Sequence, residues 1–292
     1  MSGKTKQKGG RSTENALRLW RRFCRHRLAV AGLIIILLIV LCAVFASQIS
    51  PFDPYEISYT FEASPDGVHL LGTDQVGRDV LSRLIFASRV SLLVGLGTVA
   101  FTTLLGLVLG LVSGWYGGAA DFLIMRIADV FMSFPMLLLI MVVSSIVGPG
   151  LDRIVFIMGI LGWPSVARLV RGNVLSIRQA DYAKSAVALG FSTPRILLFH
   201  VLPNTLGPIL VQATFGIAQA IIMESALSFL GMGVNPPTAS WGNMLTDAQS
   251  LTTLTEKPWL WVPPGIMILL CVLAFNFVGD GLRDALDPKT NK

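Results

Sequence analysis

Residues 181–203 read DYAKSAVALGFSTPRILLFHVLP and form the longest polar interruption between apolar segments in the second half of the chain. The pattern predicts two short helices with a corner between them. Asp181 is a candidate N-cap of the first helix, Gly190 can take the left-handed conformation that ends it, and Thr193-Pro194 can begin the second. We call residues 181–203 the elbow.

The surface of the elbow combines a small apolar stripe with basic surroundings. Tyr182, Ala186 and Leu189 follow one another at i, i+4 and i+7, which predicts one apolar stripe on the first helix. Five basic residues surround it: Arg168, Arg171, Arg178, Lys184 and Arg195. In a membrane protein this charge favours the cytoplasmic side, so we expect an exposed cytoplasmic knob.

The composition excludes an ordinary soluble protein. Hydrophobic residues make up 53% of the chain and charged residues only 14%, against about 25% charged in soluble domains. The three cysteines, Cys24, Cys42 and Cys271, suggest neither a disulfide framework nor a metal cage. Nucleic-acid binding is not expected, because no basic run carries interleaved aromatic residues, and the net charge of +6 fits basic residues at the edges of membrane spans.

Six apolar runs predict an all-α integral membrane protein. Helices are expected because lipid offers no partners to unpaired backbone groups, and the runs lack the alternation of barrel strands. They form one transmembrane domain, residues 28–280, between a basic tail at 1–27 and a tail at 281–292. The expected spans cover residues 28–46, 90–113, 122–147, 154–170, 206–230 and 262–278.

The first apolar run has two interpretations. Leu28 to Ala46 is free of charge and long enough, at roughly 28 Å as a helix, to cross the bilayer. A secretory signal cleaved near Val44-Phe45-Ala46 is the alternative, but a signal core is shorter. We therefore expect an uncleaved first span, preceded by a basic helix over residues 15–28 that lies on the anionic leaflet.

The basic residues predict the orientation. With the N-terminus inside, 18 of the 23 Lys and Arg are cytoplasmic, nine of them within residues 1–27. Both termini and the loop 171–205 are then cytoplasmic, and the segments 47–89 and 232–261 are external. The first should end in an amphipathic piece on the outer face. The second carries three tryptophans suited to the membrane–water boundary or to a docking surface: Trp241, Trp259 and Trp261.

Two features of the third run concern charge and shape. Arg126 and Asp129 are three residues apart on one helical face and should form an intramembrane ion pair. Such a pair either fixes helix packing or contributes to a gate or a substrate contact. Pro135 should bend the same helix, at a place where a pore wall can flex.

No motif predicts catalysis. His26, His69 and His200 are scattered, and neither HExxH nor GxSxG is present. The segment GTDQVGRD (residues 72–79) lacks the endings of a phosphate loop or a calcium loop, so a turn that caps a helix is expected, with Arg78 bridging Asp74 or Asp79. We expect no catalytic residue, no metal site and no cofactor bound by this chain.

Several motifs resemble a known family. Gly190, Leu202 and Pro203 have the spacing of the cytoplasmic "EAA" signature of bacterial ABC-importer permeases, although Lys184-Ser185-Ala186 replaces Glu-Ala-Ala and retains only the last alanine. The chain also resembles the C-type permeases of dipeptide, oligopeptide and nickel importers in four further blocks: LGTDQVGRDVLSR (71–83), LSFLGMGV (227–234), PPTASWGNML (236–245) and FNFVGDGLRDALDP (275–288).

This resemblance implies an ABC-importer type I permease fold in the bacterial inner membrane, with a coupling helix between spans 4 and 5. The implied partners are membrane lipids, a second homologous permease subunit, an extracytoplasmic substrate-binding protein and two ATPase subunits that hold ATP and Mg. The residues expected at the ATPase contact are Tyr182, Lys184, Ser185, Ala186, Gly190, Thr193, Pro194, Arg195, His200 and Pro203.

The substrate pathway is expected in the second half of the chain. Glu224 is the only acid of the fifth span and should face a watery cavity, where it meets a peptide ammonium group or a divalent cation. A hydrogen bond across the permease interface is the competing interpretation. Met223, Ser228 and Asn276 are further candidates.

Peptide uptake is favoured over nickel uptake, because the spans contain no His or Met-His cluster suited to a metal path. An ATP-independent secondary transporter is a more distant alternative. A membrane enzyme or a receptor component would need a catalytic or sensory constellation, and we find none.

Overall fold

The computed structural model describes residues 20–58 and 60–286 of the 292-residue chain. Over these residues the protein is almost entirely helical, and β-structure is limited to one isolated bridge between Thr73 and Asp79. The expected all-α fold is confirmed. The basic tail up to residue 19 and residues 287–292 lie outside the described residues. Residues 20–25 are helical, and His26 interrupts the helix expected over 15–28 by capping the next one.

Twelve α-helices follow within the described part of the chain. They are α1 (Arg27–Val44), α2 (Ala46–Ile49), α3 (Val80–Tyr116), α4 (Gly118–Met132), α5 (Met136–Val147), α6 (Leu151–Gln179), α7 (Asp181–Ala188), α8 (Thr193–Ile196), α9 (Leu202–Phe229), α10 (Trp241–Met244), α11 (Leu251–Glu256) and α12 (Pro258–Leu286). A π-helical turn, Leu197–Val201, joins α8 to α9, and a 3₁₀ turn, Leu245–Gln249, follows α10.

Within residues 20–58 and 60–286, five helical runs are long and apolar enough to cross a membrane, and a sixth is formed if α4 and α5 count as one broken span. The span expected over 122–147, with a bend at Pro135, corresponds to α4 and α5, which meet at an angle of 89°. Pro135 begins the turn into α5 and cannot donate a backbone hydrogen bond, so the α4 ladder ends at Ser133. The bend predicted at Pro135 is confirmed. The division into tails, loops and membrane domain stays a prediction.

Helix α3 is longer than the apolar run that predicted it. Its 37 residues span about 55 Å, well beyond the roughly 30 Å of a hydrocarbon core. The amphipathic piece expected before residue 90 is thus the first part of α3. The helix begins this early because Asp79 caps its N-terminus. Asp79 Oδ2 accepts a hydrogen bond from the Ser82 backbone N–H at 2.7 Å, which starts the helix at Val80.

Helices α3 and α6 pack closely along a row of glycines. A Cβ built at Gly106, Gly110 or Gly114 would lie 2.6 to 2.7 Å from the Cβ of a facing valine on α6. The three valines, like the glycines, recur every fourth residue: Val166, Val170 and Val174. Small residues at this spacing let two helix backbones approach within a membrane. The pair α3 and α6 therefore forms one rigid unit.

The segment 232–261 folds over the ends of α3 and α9 rather than lying free. Trp241 of this segment is 0% exposed, which corrects its expected place at the membrane–water boundary. Its backbone N–H donates to Ser91 Oγ at 3.1 Å and its indole N–H to the Leu84 carbonyl at 3.2 Å. Both partners lie on α3, so this tryptophan fixes the segment to the membrane helices.

Candidate functional site

The elbow has the corner that its sequence predicts. Gly190 has a φ of +74°, and the N–H of Phe191 donates to the Ala186 carbonyl at 3.1 Å, which closes the end of α7. Helix α8 begins at Thr193 with Pro194 in its first turn, as expected. The cap of α7 differs: Ala180 is the N-cap residue, and Asp181 lies inside the first turn without a capping hydrogen bond.

One face of α7 anchors the elbow to the membrane helices. Ala183 and Ala186 are buried, and Ala186 packs in a cluster with Trp115 of α3 and Val174 of α6. The prediction that Tyr182, Ala186 and Leu189 form one exposed stripe is therefore wrong for Ala186, which is buried. Alanines three residues apart face the core and permit close packing, so Ala186 turns inward while the larger side chains turn outward.

The opposite face of the elbow is exposed and partly apolar. Leu189 is 73% exposed, and Tyr182, Val187 and Phe199 are exposed with it. Among the residues named for an ATPase contact, Lys184, Ser185, Gly190, Pro194, Arg195 and Pro203 are also exposed, and Thr193 is half-buried. Such a cluster of exposed apolar side chains is typical of a docking surface.

Aromatic contacts order the second half of the elbow. The Arg195 guanidinium lies 4.7 Å from the ring centroid of Phe191, and the half-buried His200 stacks on the same ring at 6.3 Å. Phe191 therefore links α8 to the π-helical turn.

Two arginines of α6 hold α4. Arg171 donates to both carboxylate oxygens of Asp121, at 2.5 and 2.6 Å, and Arg168 pairs with Asp129. Arg126 Nη1 lies 3.7 Å from Asp129 Oδ2, so the expected pair is present, but it is the longer of the two contacts of that carboxylate. Arg168 was missed as a partner because 39 residues separate it from Asp129. We call these contacts the arginine ladder.

A cavity of about 520 Å³ lies between α3, the α4–α5 bend, α6 and α9. None of the described residues that line it is charged. Its polar groups are hydroxyls and amides, from Thr98, Thr102, Thr103, Ser165, Gln212 and Gln219. Four methionines contribute to the apolar remainder: Met132, Met136, Met158 and Met223. We call it the central cavity.

The residues proposed for the substrate pathway separate in space. Met223 lines the central cavity, whereas Asn276 lies half-buried on α12 and Ser228 lines a different cavity. Glu224 is 0% exposed and accepts hydrogen bonds from Ser228 Oγ at 2.7 Å and Ser240 Oγ at 2.8 Å. The expectation that Glu224 faces a watery cavity is therefore wrong, because the segment 232–261 covers it.

A smaller cavity of about 300 Å³ lies between the segments 47–89 and 232–261. Arg78 Nε lies 2.8 Å from Asp74 Oδ2, as predicted, and Arg83 Nε reaches the same oxygen at 3.3 Å. Asp247 also lines this cavity. Burial, and to a smaller extent the negative charge of Asp74, raise the pKa of Asp247 to about 6.

Comparison with known proteins identifies the class. Residues 106–292 match the family described as "binding-protein-dependent transport system inner membrane component", and residues 17–65 match the "N-terminal TM domain of oligopeptide transport permease C". The chain belongs to this permease family. The first match contains the elbow, the arginine ladder and most residues of the central cavity.

Relatives that match more than nine-tenths of this permease are also named as transport permeases. It is 43% identical to the di/tripeptide transport system permease protein DppC of Pseudomonas aeruginosa, over 92% of this chain and 91% of the relative. It is 41% identical to the oligopeptide transport system permease protein OppC of Bacillus subtilis, over 96% and 93%. The dipeptide transport system permease protein DppC of Haemophilus influenzae is also 41% identical, over 92% and 93%. The family resemblance stated from the motifs is confirmed.

Proposed function

We propose that this chain is one permease subunit of an ATP-driven, binding-protein-dependent importer that carries oligopeptides or dipeptides across the bacterial inner membrane. Its partners are a second homologous permease, two ATPase subunits and an extracytoplasmic substrate-binding protein. Family membership and the names of the relatives support a peptide importer. ATP and Mg are held by the partner ATPases, and this chain supplies the path and the contact through which they act.

The orientation follows from the distribution of charge. The elbow and the chain termini are cytoplasmic, and the segments 47–89 and 232–261 face the binding protein. The positive-inside rule supports this arrangement, since nine of the Lys and Arg residues lie within residues 1–27 and five lie in the elbow or just before it.

One observation carries the coupling mechanism: the elbow is fixed on one face and open on the other. Ala186 packs against α3 and α6, whereas Tyr182 and Leu189 are exposed. A partner that binds the open face moves the elbow together with the rigid α3–α6 unit. ATP shifts the equilibrium between two states of the transporter only through contacts that differ between these states, and the elbow provides such a contact.

The arginine ladder extends this movement to the central cavity. Arg168 and Arg171 of α6 are paired with Asp129 and Asp121 of α4. Helix α4 leads into the bend at Pro135, and residues on both sides of that bend line the cavity. Displacement of α6 therefore changes the bend and the cavity wall. In this mechanism the cavity opens alternately to the two sides of the membrane.

Substitution of one exposed leucine tests the ATPase contact. Leu189→Asp places a charge on the open face of the elbow, and Leu251→Asp is a matched control on α11, where the leucine is 75% exposed. We expect Leu189→Asp to reduce co-purification of the ATPase subunits and peptide-stimulated ATP hydrolysis at least fivefold, and Leu251→Asp to leave co-purification of the ATPase subunits unchanged. Normal assembly and coupling in Leu189→Asp would refute the proposed contact.

Lys184 tests the charge of the partner surface. It is exposed and forms no ion pair with any residue that the structure describes. If the ATPase supplies an acid at this point, Lys184→Glu weakens assembly in a salt-dependent manner. Unchanged assembly at low and high salt would show that Lys184 faces water in the complex.

A further inference from the structure

The wall that α9 presents to the central cavity has a regular pattern. Gln212, Gly216, Gln219 and Met223 all line the cavity, and they follow one another at i, i+4, i+7 and i+11. Residues at this spacing lie on one face of a helix. We call these four residues the α9 stripe.

The two amides of the stripe have unused hydrogen-bonding capacity. Neither Gln212 nor Gln219 makes a side-chain hydrogen bond to another described residue. Opposite them on α3, Thr98 is 5% exposed, lines the same cavity, and has a hydroxyl without a partner among the described residues. Buried polar groups are nearly always hydrogen-bonded, so the unsatisfied Thr98 hydroxyl indicates a ligand or water that completes it. The half-buried Gln212 and the exposed Gln219 line the same cavity and can bind the same ligand.

The spacing of the amides fits an extended peptide. Seven residues along an α-helix correspond to about 10.5 Å, and three residues of an extended chain cover a similar length. A primary amide both donates and accepts, as a peptide group does. Gly216 lies between the two glutamines, and a Cβ built there would lie 3.2 Å from Val99 Cγ2, so α9 packs against α3 at this point and the two amides flank the contact.

The rest of the wall suits varied side chains. Four of the ten methionines of the chain line this cavity: Met132, Met136, Met158 and Met223. Methionine is flexible and polarisable and recurs at surfaces that accept many partners. The lining has no charged residue among those that the structure describes, so none of these side chains selects a ligand by its charge.

We propose that the α9 stripe is a peptide-backbone subsite, in which the amides of Gln212 and Gln219 hydrogen-bond to peptide groups of the translocated chain and the methionines accommodate its side chains. This inference rests on the proposed function as a peptide importer. It assigns recognition of the backbone to this permease and leaves recognition of side chains to other parts of the transporter.

The test uses the complete transporter in proteoliposomes with its binding protein. The double variant Gln212→Met, Gln219→Met removes both amides at nearly constant volume, and Gln48→Met changes an exposed glutamine outside the cavity. The probes are tetra-alanine, tetrapeptides with Lys or Glu at the second position, and tetra-alanine methylated at its backbone nitrogens. Loss of two net hydrogen bonds predicts roughly tenfold slower uptake of the unmethylated peptides at subsaturating concentration.

The pattern of losses distinguishes a subsite from a structural role. We expect a similar loss for the Ala, Lys and Glu peptides, a loss below threefold for the methylated peptide, and wild-type uptake in Gln48→Met. If the double variant assembles poorly, Gln219→Met alone should still give about a threefold loss that methylation removes. Unchanged uptake, or an equal loss with the methylated peptide, would overturn the subsite. Absence of peptide uptake by the wild type would instead refute the proposed function.

Discussion

Arg171 donates two hydrogen bonds to Asp121, with Nε 2.5 Å from Oδ1 and Nη2 2.6 Å from Oδ2. Ser113 Oγ donates to the same carboxylate at 2.5 Å. The three residues belong to α6, α4 and α3. This cluster therefore joins the rigid α3–α6 unit to the helix that leads into the bend at Pro135.

The pairing predicts energetic coupling between α6 and α4. Asp121→Asn and Arg171→Gln should each lower the free energy of unfolding. In the double variant the decrease should be smaller than the sum of the two single decreases, and the difference is a coupling energy of about 1 kcal/mol. The value is modest because both side chains are partly exposed. Thermal unfolding of the wild type, the two single variants and the double variant in detergent gives this double-mutant cycle.

Arg178→Gln is the control for that cycle, since Arg178 is exposed and forms no ion pair within the described residues. It should show no coupling to Asp121→Asn. Strict additivity of Asp121→Asn and Arg171→Gln would mean that the bidentate contact does not stabilise the junction of the helices.

The glycine row predicts strong sensitivity to one methyl group. In Gly110→Ala the new Cβ would lie 2.6 Å from Val170 Cβ and 2.7 Å from the Ala167 carbonyl oxygen, so the helices must separate. We expect the free energy of unfolding to fall by about 1 to 3 kcal/mol, which lowers the midpoint of thermal unfolding.

Gly172→Ala on α6 is the matched control for this methyl group, because its Cβ meets nothing within 4 Å. Alanine favours a helix by up to about 1 kcal/mol over glycine, so Gly172→Ala should be neutral or stabilising. Equal midpoints for the two alanine variants would contradict the close approach of α3 and α6.

Substitution of Glu224 should lower the stability of the protein and leave its peptide selectivity unchanged. Glu224→Leu leaves the buried hydroxyls of Ser228 and Ser240 without their acceptor and should cost about 2 kcal/mol of stability, whereas Glu224→Gln keeps an acceptor oxygen and should cost less. The ratio of uptake of Lys-containing to Glu-containing peptides should not change in either variant. A changed ratio at normal stability would restore a substrate role for Glu224.

Local rules predicted the elbow well. The left-handed turn at Gly190 and the start of α8 at Thr193 depend on residues within a few positions of each other, and the bend at Pro135 depends on a single missing N–H. Such features follow from backbone chemistry. The gap between α4 and α5 was predicted as a bend, but its angle of 89° is set by the helices packed around it.

Contacts between distant segments escaped prediction. Arg171 and Asp121 are 50 residues apart, and no local pattern pairs them. Glu224 and Trp241 were misplaced for a common reason: hydropathy estimates how deep a residue lies but not what covers it. The segment 232–261 folds over both. The central cavity was missed because its hydroxyl, amide and methionine side chains are ordinary members of apolar helices.

Asp247 predicts a pH dependence of stability. Its pKa is raised from 3.8 to about 6 in the folded protein, so the unfolded chain releases this proton at lower pH than the folded chain. The stabilising contribution is therefore fully present below pH 3.8 and is lost as the pH rises through about 6, a change of up to about 3 kcal/mol. Unfolding measured from pH 4 to pH 7 should show this decrease.

Asp247→Asn cannot ionise and isolates that contribution. The variant should lack this part of the pH slope and exceed the wild type in stability above pH 6. Parallel pH profiles of the two proteins would show that the carboxyl group is not held in a desolvated position between the segments 47–89 and 232–261.

The central claim is that the exposed face of the elbow contacts the ATPase. A photoreactive amino acid at position 189, in the transporter assembled with all its partners, tests this contact by covalent capture, with position 251 as the control. We predict an adduct with the ATPase from position 189, with a yield that changes when a non-hydrolysable ATP analogue is added, and none from position 251. An ATPase adduct from position 251, or capture of the substrate-binding protein from position 189, would contradict the account.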